Sequence, residues 1–333
     1  MPSAVLFDHP GDPDVLRWQP VDALHPNADQ VVIEVAAAGV NNADLLQRAG
    51  RYPVPEGSPR PLGLECAGTI TEVGSDVTDW SPGDEVCALL DGGGYADQVA
   101  VRATQVMPIP AGLSMIDAAA VPEVTCTVYS NLAMIAGLTG GQSVLIHGAG
   151  GGIGTFAIQW AAAIGAHVIT TAGSDAKALA GHELGARNAI NYRTEDFVSA
   201  TLAATAGRGV DAILDVVGSD YLARNVECLA PDGHLVVIGG STAPAMLDLG
   251  RLMTQRASVT ATMLRARPAE QKAAIVAGVT RDVLPLFATE DIRPVVHTVV
   301  PLPDAAAAHR LLESGQTVGK VILDNQVRAA RRG

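Results

Sequence analysis

Short apolar stretches separated by clusters of glycine and proline make up the first third of the chain. Stretches of about four to eight such residues predict β-strands, and the glycine and proline clusters predict the turns between them. Many short strands at this spacing indicate a barrel-like, β-rich domain. The predicted strands are Ser3–Phe7, Gln30–Ala37, Gly68–Val73, Glu85–Leu89 and Tyr95–Val101.

From about residue 122 the hydrophobic pattern changes to strands and helices in alternation. This alternation predicts a doubly wound α/β fold with a parallel sheet. The predicted strands are Ser143–Ile146, His167–Thr171, Ala189–Asn191, Ala212–Val217, His234–Ile238 and Ser258–Met263, and the predicted helices are Val124–Ala136, Asp175–Leu184, Glu195–Ala206 and Tyr221–Leu229.

The last part of the chain carries only two predicted helices and two predicted strands. This is short for a third domain, so we expect it to return to the β-rich domain. The predicted division is a β-rich domain of residues 1–121 and 268–333 around a doubly wound domain of residues 122–267. The four elements are Pro268–Phe287, Val295–Val300, Asp304–Ser314 and Gly319–Leu323.

The glycine-rich turn after the first strand of the doubly wound domain carries the clearest chemical pattern. Ala149, Gly151 and Gly154 occupy the three positions of the dinucleotide-binding fingerprint. Small residues are needed because the chain turns sharply, the backbone approaches a pyrophosphate and the helix packs closely on the sheet. Strand–helix turns also use glycine for structural reasons alone, but the flanking strand and helix favour binding of NAD or NADP. The expected contacts at the helix N-terminus are Ala149, Gly150, Gly151, Gly152, Ile153 and Gly154.

The end of the second strand bears on the choice between NAD and NADP. NAD enzymes place an acidic residue there, about 20 residues after the glycines, to bind the ribose 2′-hydroxyl. This chain has Ser174 and then Lys177, one of only three lysines. A hydroxyl and an ammonium suit a 2′-phosphate, which favours NADPH. Asp175 argues for NADH, and Lys177 is otherwise a solvated lysine at a helix start.

Composition and charge narrow the possible partners. The chain has 333 residues, of which 48% are hydrophobic, and a net charge of −13, which argues against nucleic acid or an anionic membrane as a partner. Its four cysteines show no metal spacing, and four in a chain this long do not indicate a disulfide scaffold. This cysteine usage leads us to expect a protein of the reducing cytoplasm. The sequence shows no signal-peptide pattern and no membrane span.

Several collinear blocks resemble the zinc-free quinone oxidoreductases of the medium-chain dehydrogenase/reductase superfamily, and most of all the branch of tumour-suppressor-inducible quinone reductases. The resemblance implies a GroES-like catalytic domain, formed by both chain ends, around a Rossmann nucleotide domain, with a substrate cleft between them. It also implies a homodimer that pairs the strand Ser258–Met263. The blocks are Ala38–Tyr52, Leu62–Gly68, the glycine turn, Thr171–Lys177, Leu184–Ala186, Asn191–Phe197, His309–Arg310 and Gly319–Leu323.

Zinc-dependent alcohol dehydrogenases of the same superfamily have ligands that this chain lacks. Their first zinc ligand is replaced by Asn41 and Asn42, and the histidine of their second ligand motif is replaced by Leu64. The structural zinc loop with four cysteines is missing, so we predict no metal. Without a metal, hydride transfer to an already electrophilic quinone or unsaturated carbonyl is better suited than alcohol oxidation.

Tyr52 and Asn41 are the predicted catalytic residues. A phenol with a pKa of about 10 is protonated at neutral pH and can donate to the carbonyl oxygen as charge develops there. Tyr52 is otherwise an aromatic anchor of its loop. Asn41 would orient the acceptor or the nicotinamide ribose, or else is a turn residue at a strand end. Asp44 would fix the loop that holds Asn41 or cap the helix Ala43–Arg48.

The resemblance implies further cofactor contacts. Thr127 would meet the ribose or phosphate near the nicotinamide, and Tyr192 would pack near the 2′-phosphate. Thr127 is otherwise a helix threonine and Tyr192 an edge aromatic. Of the contacts named next, Met263 and Leu264 have an alternative interpretation as core side chains, and Lys320 as a solvated lysine at a strand start. The remaining implied contacts are Gly239, Gly240, Met263, Leu264 and Lys320.

One departure from the family keeps alternatives open. Many relatives carry serine at position 150 or 151, where this chain has Gly150 and Gly151. Backbone N–H groups must therefore bind phosphate unaided there. The sequence favours an NADPH-dependent quinone reductase. An enoyl or enone reductase and a low-activity NADPH-binding sensor are the alternatives.

Overall fold

The structure is a computed structural model that describes residues 1–326, so residues 327–333, the end of the predicted segment 268–333, lie outside the described residues. Its contacts divide the chain into two units. The first unit comprises Met1–Cys126, Arg265–Glu290 and the described residues from Pro294 onward. The second unit comprises Thr127–Leu264 and Asp291–Arg293.

Strands occur throughout the described chain. They are β1 Ser3–Leu6, β2 Arg17–Pro20, β3 Gln30–Val40, β4 Glu65–Val73, β5 Glu85–Leu89, β6 Gln98–Arg102, β7 Val106–Pro108, β8 Ser143–His147, β9 His167–Ala172, β10 Asn188–Asn191, β11 Val210–Asp215, β12 Leu229–Val237, β13 Ser258–Ala261, β14 Val296–Pro301 and β15 Lys320–Asp324.

Helices fill most of the connections, and short 3₁₀ turns are found at Pro13–Val15, Ala103–Gln105 and Leu302–Asp304. The α-helices are α1 Asn42–Arg48, α2 Met115–Ala118, α3 Pro122–Val128, α4 Gly152–Ala163, α5 Asp175–Glu183, α6 Phe197–Ala204, α7 Leu222–Cys228, α8 Leu249–Gln255, α9 Ala269–Asp282, α10 Leu284–Ala288 and α11 Ala305–Glu313.

The first unit is built on a sheet of seven strands. Its order is β14-β15-β3-β4-β5-β7, and β6 pairs with β3. The last strand, β15, pairs antiparallel with β3, with Val321 opposite Val40. The end of the described chain therefore lies beside the early strands of this unit. Buried Val, Ile, Leu and Ala side chains of these strands form the core.

The second unit contains a six-stranded parallel sheet in the order β10-β9-β8-β11-β12-β13. This is the strand order of a doubly wound dinucleotide-binding sheet and confirms the predicted α/β class. The central strand β8 is buried at every position. Continuous burial is expected of a parallel strand with helices on both faces.

Several elements differ from the predictions. The predicted helix Val124–Ala136 is α3 followed by a π-helical segment, Tyr129–Ile135. The predicted helix Pro268–Phe287 is interrupted after Asp282, because Pro285 lacks an N–H and lies instead in the first turn of the short helix α10. The strand predicted at Tyr95 begins only at Gln98. The elements β2, β7, α2 and α8 were not predicted.

The unit boundaries also differ from residues 122–267. Residues 122–126 and 265–267 belong to the first unit. The backbone N–H of Glu123 donates to Glu65, and the Arg265 guanidinium donates to the carbonyl of Asp91. Conversely, Arg293 belongs to the second unit, where its backbone exchanges two hydrogen bonds with the Gln159 side chain. No helix within residues 1–326 is long and apolar enough to cross a membrane.

Candidate functional site

The glycine turn of the second unit connects β8 to α4. Gly148 adopts a φ of +86°, which favours glycine, and its N–H donates to the Thr171 carbonyl at 3.1 Å. A Cβ on Gly154 would lie 2.0 Å from the Gly148 carbonyl oxygen. Helix and turn therefore approach so closely that position 154 has no room for a side chain, which is the role of the third fingerprint glycine.

The N-terminus of α4 has the features of an anion site. Its N-cap is Gly151, so no side chain caps the helix. The first backbone N–H groups of an α-helix have no partner within the helix. In α4 these groups belong to Gly152, Ile153 and Gly154, and together with the helix dipole they suit a phosphate.

Positions 150 and 151, where many members of the family carry serine, differ in the space available to a side chain. A Cβ on Gly151 would contact only the Gly148 carbonyl oxygen, at an ordinary 3.6 Å. A Cβ on Gly150 would lie 2.8 Å from Cδ of Lys177. The stem of Lys177 therefore lies against the turn, and this contact brings an ammonium-bearing side chain to the candidate pyrophosphate site.

Three predicted residues lie at the carboxyl ends of β9 and β10. The Ser174 hydroxyl accepts from the Lys177 backbone N–H at 3.4 Å and caps α5. Tyr192 packs its hydroxyl over Gly173, where an added Cβ would lie 2.5 Å from the phenol oxygen. The Asp175 carboxylate accepts from the Asn191 amide at 2.7 Å. The structure thus groups Ser174, Lys177 and Tyr192, with Asp175 tied towards β10.

The other predicted contacts of the second unit lie after β12, after β13 and at the end of α3. Gly240 has a φ of +93°, and a Cβ there would lie 2.1 Å from the Val217 backbone. Only glycine fits at this position. Gly239 faces open space, so its backbone is accessible to a ligand.

A hydrogen-bonded chain connects Thr127 with the segment after β13. The Thr127 carbonyl accepts from the Asn131 amide at 2.7 Å, and the Thr262 hydroxyl donates to Asn131 Oδ1 at 2.7 Å. Met263 and Leu264 follow directly. Met263 was predicted to be the last residue of the strand but lies beyond β13, which ends at Ala261. Met263 is exposed and Leu264 is buried.

Lys320 of the first unit is almost completely buried, with 5% of its side chain exposed. Its ammonium donates to Asn41 Oδ1 at 2.6 Å, to the Val40 carbonyl at 3.1 Å and to the carboxylate of Glu65. Glu65 itself is fully buried. The interpretation of Lys320 as a solvated strand-start lysine is therefore wrong. We call Lys320, Glu65, Asn41, Asp44 and Glu123 the Lys320 cluster.

Asn41 and Asp44 are held at the start of α1. The Asn41 side chain uses its oxygen for Lys320 and one N–H for Glu65, at 2.9 Å. Asp44 accepts from the Asn41 backbone N–H at 2.8 Å and from the Gly63 N–H at 3.1 Å. Asp44 therefore has both suggested roles. It caps α1 through Asn41, and it holds the loop of Gly63 against the start of this helix.

Two carboxyl groups of the cluster, those of Glu123 and Asp44, have raised pKa values. Burial, and to a smaller degree the charge of Glu65, raise the pKa of Glu123 to about 8. Burial raises the pKa of Asp44 to about 6 against the effect of its hydrogen bonds. Sequence reasoning did not single out Glu65 or Glu123 as site residues. Each is an acidic residue flanked by apolar residues in the sequence, and this pattern could have indicated a buried carboxyl group.

Tyr52 lies in the loop after α1 and is partly buried. Burial and the charge of Glu123 raise its pKa to about 12, and the charge of Arg265 opposes this. The Arg265 guanidinium carbon lies 5.7 Å from the centre of the Tyr52 ring, within cation–π range. The phenol is therefore protonated at neutral pH. No hydrogen bond joins Tyr52 to Asn41 among the described residues, and sequence reasoning missed Arg265.

The Lys320 cluster includes Asn41, and Leu64 precedes its member Glu65; these are the two positions at which zinc-dependent alcohol dehydrogenases are expected to carry zinc ligands. Zinc requires thiolate, imidazole or carboxylate ligands. Leu64 offers no donor, Asn41 is a neutral amide, and the ammonium of Lys320 already binds Glu65. These residues do not fit a catalytic zinc ion. Within residues 1–326, no three His, Cys, Asp or Glu side chains are grouped so as to hold a metal ion.

Two family profiles match the chain. The profile of the alcohol dehydrogenase GroES-like domain matches residues 27–111, and that of a zinc-binding dehydrogenase matches residues 184–323. A quinone oxidoreductase from Pseudomonas aeruginosa is 32% identical over 97% of this chain and 99% of its own length. A phenolphthiocerol/phthiocerol polyketide synthase from Mycobacterium tuberculosis is also 32% identical over 95% of this chain, but the chain spans only 14% of that relative.

Solved structures give the same likeness. The Escherichia coli quinone oxidoreductase complexed with NADPH is 32% identical, with a TM-score of 0.85 over 97% of this chain and 99% of its own. The CurK enoyl reductase is 30% identical, also with a TM-score of 0.85 over 97% of this chain and 99% of its own. A quinone oxidoreductase and an enoyl reductase therefore both share this fold over nearly the whole chain.

Proposed function

We propose that this chain, which belongs to the medium-chain dehydrogenase/reductase superfamily, is an NADPH-dependent, zinc-independent reductase of quinones. One observation carries the choice of chemistry: Asn41, at the position of the first zinc ligand of zinc-dependent alcohol dehydrogenases, has its side-chain oxygen bonded to the Lys320 ammonium, which also pairs with Glu65. Without zinc, hydrogen-bond donors must polarise the carbonyl group of the acceptor. The protonated phenol of Tyr52 is such a donor in this unit.

The second unit fits the cofactor. The backbone N–H groups at the start of α4 would bind the pyrophosphate, and Ser174, Lys177 and Tyr192 would bind the 2′-phosphate. NADPH supplies a hydride when bound. The preference for its 2′-phosphate is supported by the contact of Lys177 with the turn and by the engagement of Asp175 with Asn191. The nicotinamide end would be held by Thr127, Gly239, Gly240, Met263 and Leu264.

The residues of the first unit would act on the acceptor. Tyr52 donates its hydroxyl hydrogen bond to the carbonyl oxygen and stabilises the negative charge that develops there. Like any phenol it keeps its proton at neutral pH, and burial, which disfavours the phenolate, raises its pKa further, to about 12. Lys320 and Glu65 hold Asn41 in place, and Asn41 keeps one amide N–H to orient the acceptor.

An enoyl or enone reductase on the same scaffold is the second candidate. The likeness to the CurK enoyl reductase and to a polyketide synthase supports it. Both reactions place a hydride on an electrophilic carbon and charge on a carbonyl oxygen, so Tyr52 would serve either one.

The direct test is oxidation of NADPH and NADH by purified protein with 1,4-benzoquinone, 9,10-phenanthrenequinone and a 2-enone. The proposal expects turnover with NADPH and a quinone, and no stoichiometric zinc by elemental analysis. Turnover with the enone alone would replace it by the second candidate. Tight NADPH binding without turnover would indicate a sensor, and one zinc ion per chain would overturn zinc independence.

Two further features are part of the proposal. β13 is the edge strand of its sheet, and we propose that it pairs with β13 of a second copy to form a homodimer. Light scattering on the purified chain would show a monomer if this is wrong. The blocks Ala38–Tyr52 and Asn191–Phe197 support placement in the tumour-suppressor-inducible branch of the family.

A further inference from the structure

The first unit contains a cavity of about 390 Å³. Its walls include the loop that follows Tyr52, the turn after β5, the strand β6 and the start of α9. The cavity is large enough for a small organic group, and no role in the reaction has yet been assigned to it.

Its lining is cationic, although the chain carries a net charge of −13. Four basic side chains, from Arg102, Arg265, Arg267 and Lys272, face two acidic ones, from Glu56 and Asp91. Lys272 pairs with Asp91, and Arg102 pairs with Asp29 outside the cavity. Glu56 forms no ion pair within residues 1–326, so the remaining charges are those of Arg265 and Arg267 against Glu56, an excess of one positive charge.

These two arginines make hydrogen bonds only to neutral groups. Arg265 is buried and donates to the carbonyl of Asp91 at 2.6 and 3.0 Å and to the Gln47 amide oxygen at 2.6 Å. Arg267 donates to Gln271 at 3.2 Å, and its Nε is buried without a hydrogen-bond partner. Neither guanidinium pairs with a carboxylate within residues 1–326.

Burying a cation without a counter-charge is costly, and a bound anion would remove that cost. The start of α9 adds to the attraction. Ala269 lines the cavity, and no side chain caps this helix of 14 residues. Its dipole therefore places partial positive charge at the same wall.

The cavity also adjoins the candidate catalytic tyrosine through Arg265, whose guanidinium carbon lies 5.7 Å from the centre of the Tyr52 ring. We propose that the acceptor carries an oxyanion, a carboxylate or a phosphate, that binds in this cavity at Arg267 and Arg265 while its carbonyl lies at Tyr52. The inference rests on the proposed function and narrows its acceptor class. The phosphates of NADPH are already assigned to the second unit, so they do not account for this charge.

Matched acceptors test the proposal. The carboxylate pairs are a 1,4-benzoquinone with a propanoate side chain against its methyl ester, and trans-4-oxo-2-pentenoate against its methyl ester. The phosphate pair is crotonyl-coenzyme A against the crotonyl thioester of N-acetylcysteamine. We expect the wild type to prefer the anionic member of a pair by about tenfold in kcat/KM, the gain typical of one charge-assisted contact.

Variants locate the effect. Arg267→Gln removes a charge at a partly exposed position and should bring the anionic-to-neutral ratio close to one, whereas Arg267→Lys should retain most of it. Arg60→Gln is the matched control, because Arg60 is an exposed arginine of the same loop region outside the cavity lining. It should leave the ratio as in the wild type. High salt should reduce the wild-type ratio.

Each outcome is decisive. A preference in the carboxylate pairs alone, or in the coenzyme A pair alone, supports the inference and identifies the anion. Equal ratios in the wild type and Arg267→Gln for every pair overturn it, while turnover of the neutral quinone leaves the proposed function standing. If no acceptor turns over, the proposed function fails. Calorimetric binding of the quinone propanoate to the wild type and Arg267→Gln, in the presence of NADPH, then decides the inference alone.

Discussion

The glycine turn and the Lys320 cluster are two candidate ligand-binding regions that are built in opposite ways. The turn occupies residues 148–154, and its ability to bind depends on backbone N–H groups and on the lack of side chains. The cluster joins Asn41, Glu65 and Lys320, and Lys320 is 279 positions from Asn41 and 255 from Glu65. Local backbone geometry builds the first site, and buried charge assembled by the fold builds the second.

The two regions should therefore respond differently to substitution. A larger side chain should damage the glycine turn, because its backbone is packed too closely to accommodate one. Removing a charge should damage the cluster, because each buried charge depends on its partner.

The largest effect is expected from Lys320→Met, which leaves the fully buried carboxylate of Glu65 without its cation. Breaking a buried ion pair from one side costs about 3–5 kcal/mol. Urea unfolding should show this loss, and Lys320→Met combined with Glu65→Gln should recover part of it. Arg310→Met, which opens the exposed pair with Asp14, is the control and should change stability little. An equal loss in both single variants would refute the importance of the buried pair.

Gly154→Ala is the corresponding change in the turn. Its Cβ would lie 2.0 Å from the Gly148 carbonyl oxygen, so helix and turn must move apart. We expect NADPH binding to weaken by about 100-fold, or about 2.7 kcal/mol, in a fluorescence titration. Gly151→Ser is the matched control, because its Cβ meets only an ordinary 3.6 Å contact. Similar NADPH affinities of Gly154→Ala and Gly151→Ser would contradict the claim that the close contact between position 154 and the Gly148 carbonyl is needed for binding.

Glu123→Gln tests the electrostatics of the cluster. The folded chain holds the proton of Glu123 up to about pH 8, whereas an ordinary glutamate releases it near 4.5. The unfolded state thus binds fewer protons between these values, so stability falls as the pH rises through that window. One group contributes at most about 1.4 kcal/mol per pH unit. Unfolding at several pH values should show a flatter profile for Glu123→Gln, and an unchanged slope would disprove the raised pKa.

Lys177→Ala should have the smallest effect of the four. Removing the ammonium should weaken NADPH by about tenfold and leave NADH nearly unchanged, because only NADPH carries the 2′-phosphate. Titration of both nucleotides measures the ratio. Equal weakening of the two would refute the assignment of the 2′-phosphate to Lys177.

The same contrast explains how far the sequence could lead. The α/β class and the turn were predictable because fingerprint spacing and alternating strands and helices are local patterns. Asn41 and Lys320 could be named only from the family resemblance, and their contact arises because β15 pairs with β3. Glu65 and Arg265 were missed as site residues because nothing local to either residue identifies its partner. Positional constraints in the glycine turn, such as Gly150 against Lys177, also required coordinates.

The central claim is that the protonated phenol of Tyr52 polarises the acceptor carbonyl without a metal ion. The most direct measurement is the kcat of Tyr52→Phe with NADPH and 1,4-benzoquinone, with NADPH affinity determined on the same sample. The account predicts a kcat lower by about 10- to 100-fold and an unchanged affinity, because phenylalanine keeps the ring and loses only the donor. An unchanged kcat would remove Tyr52 from catalysis and contradict the account.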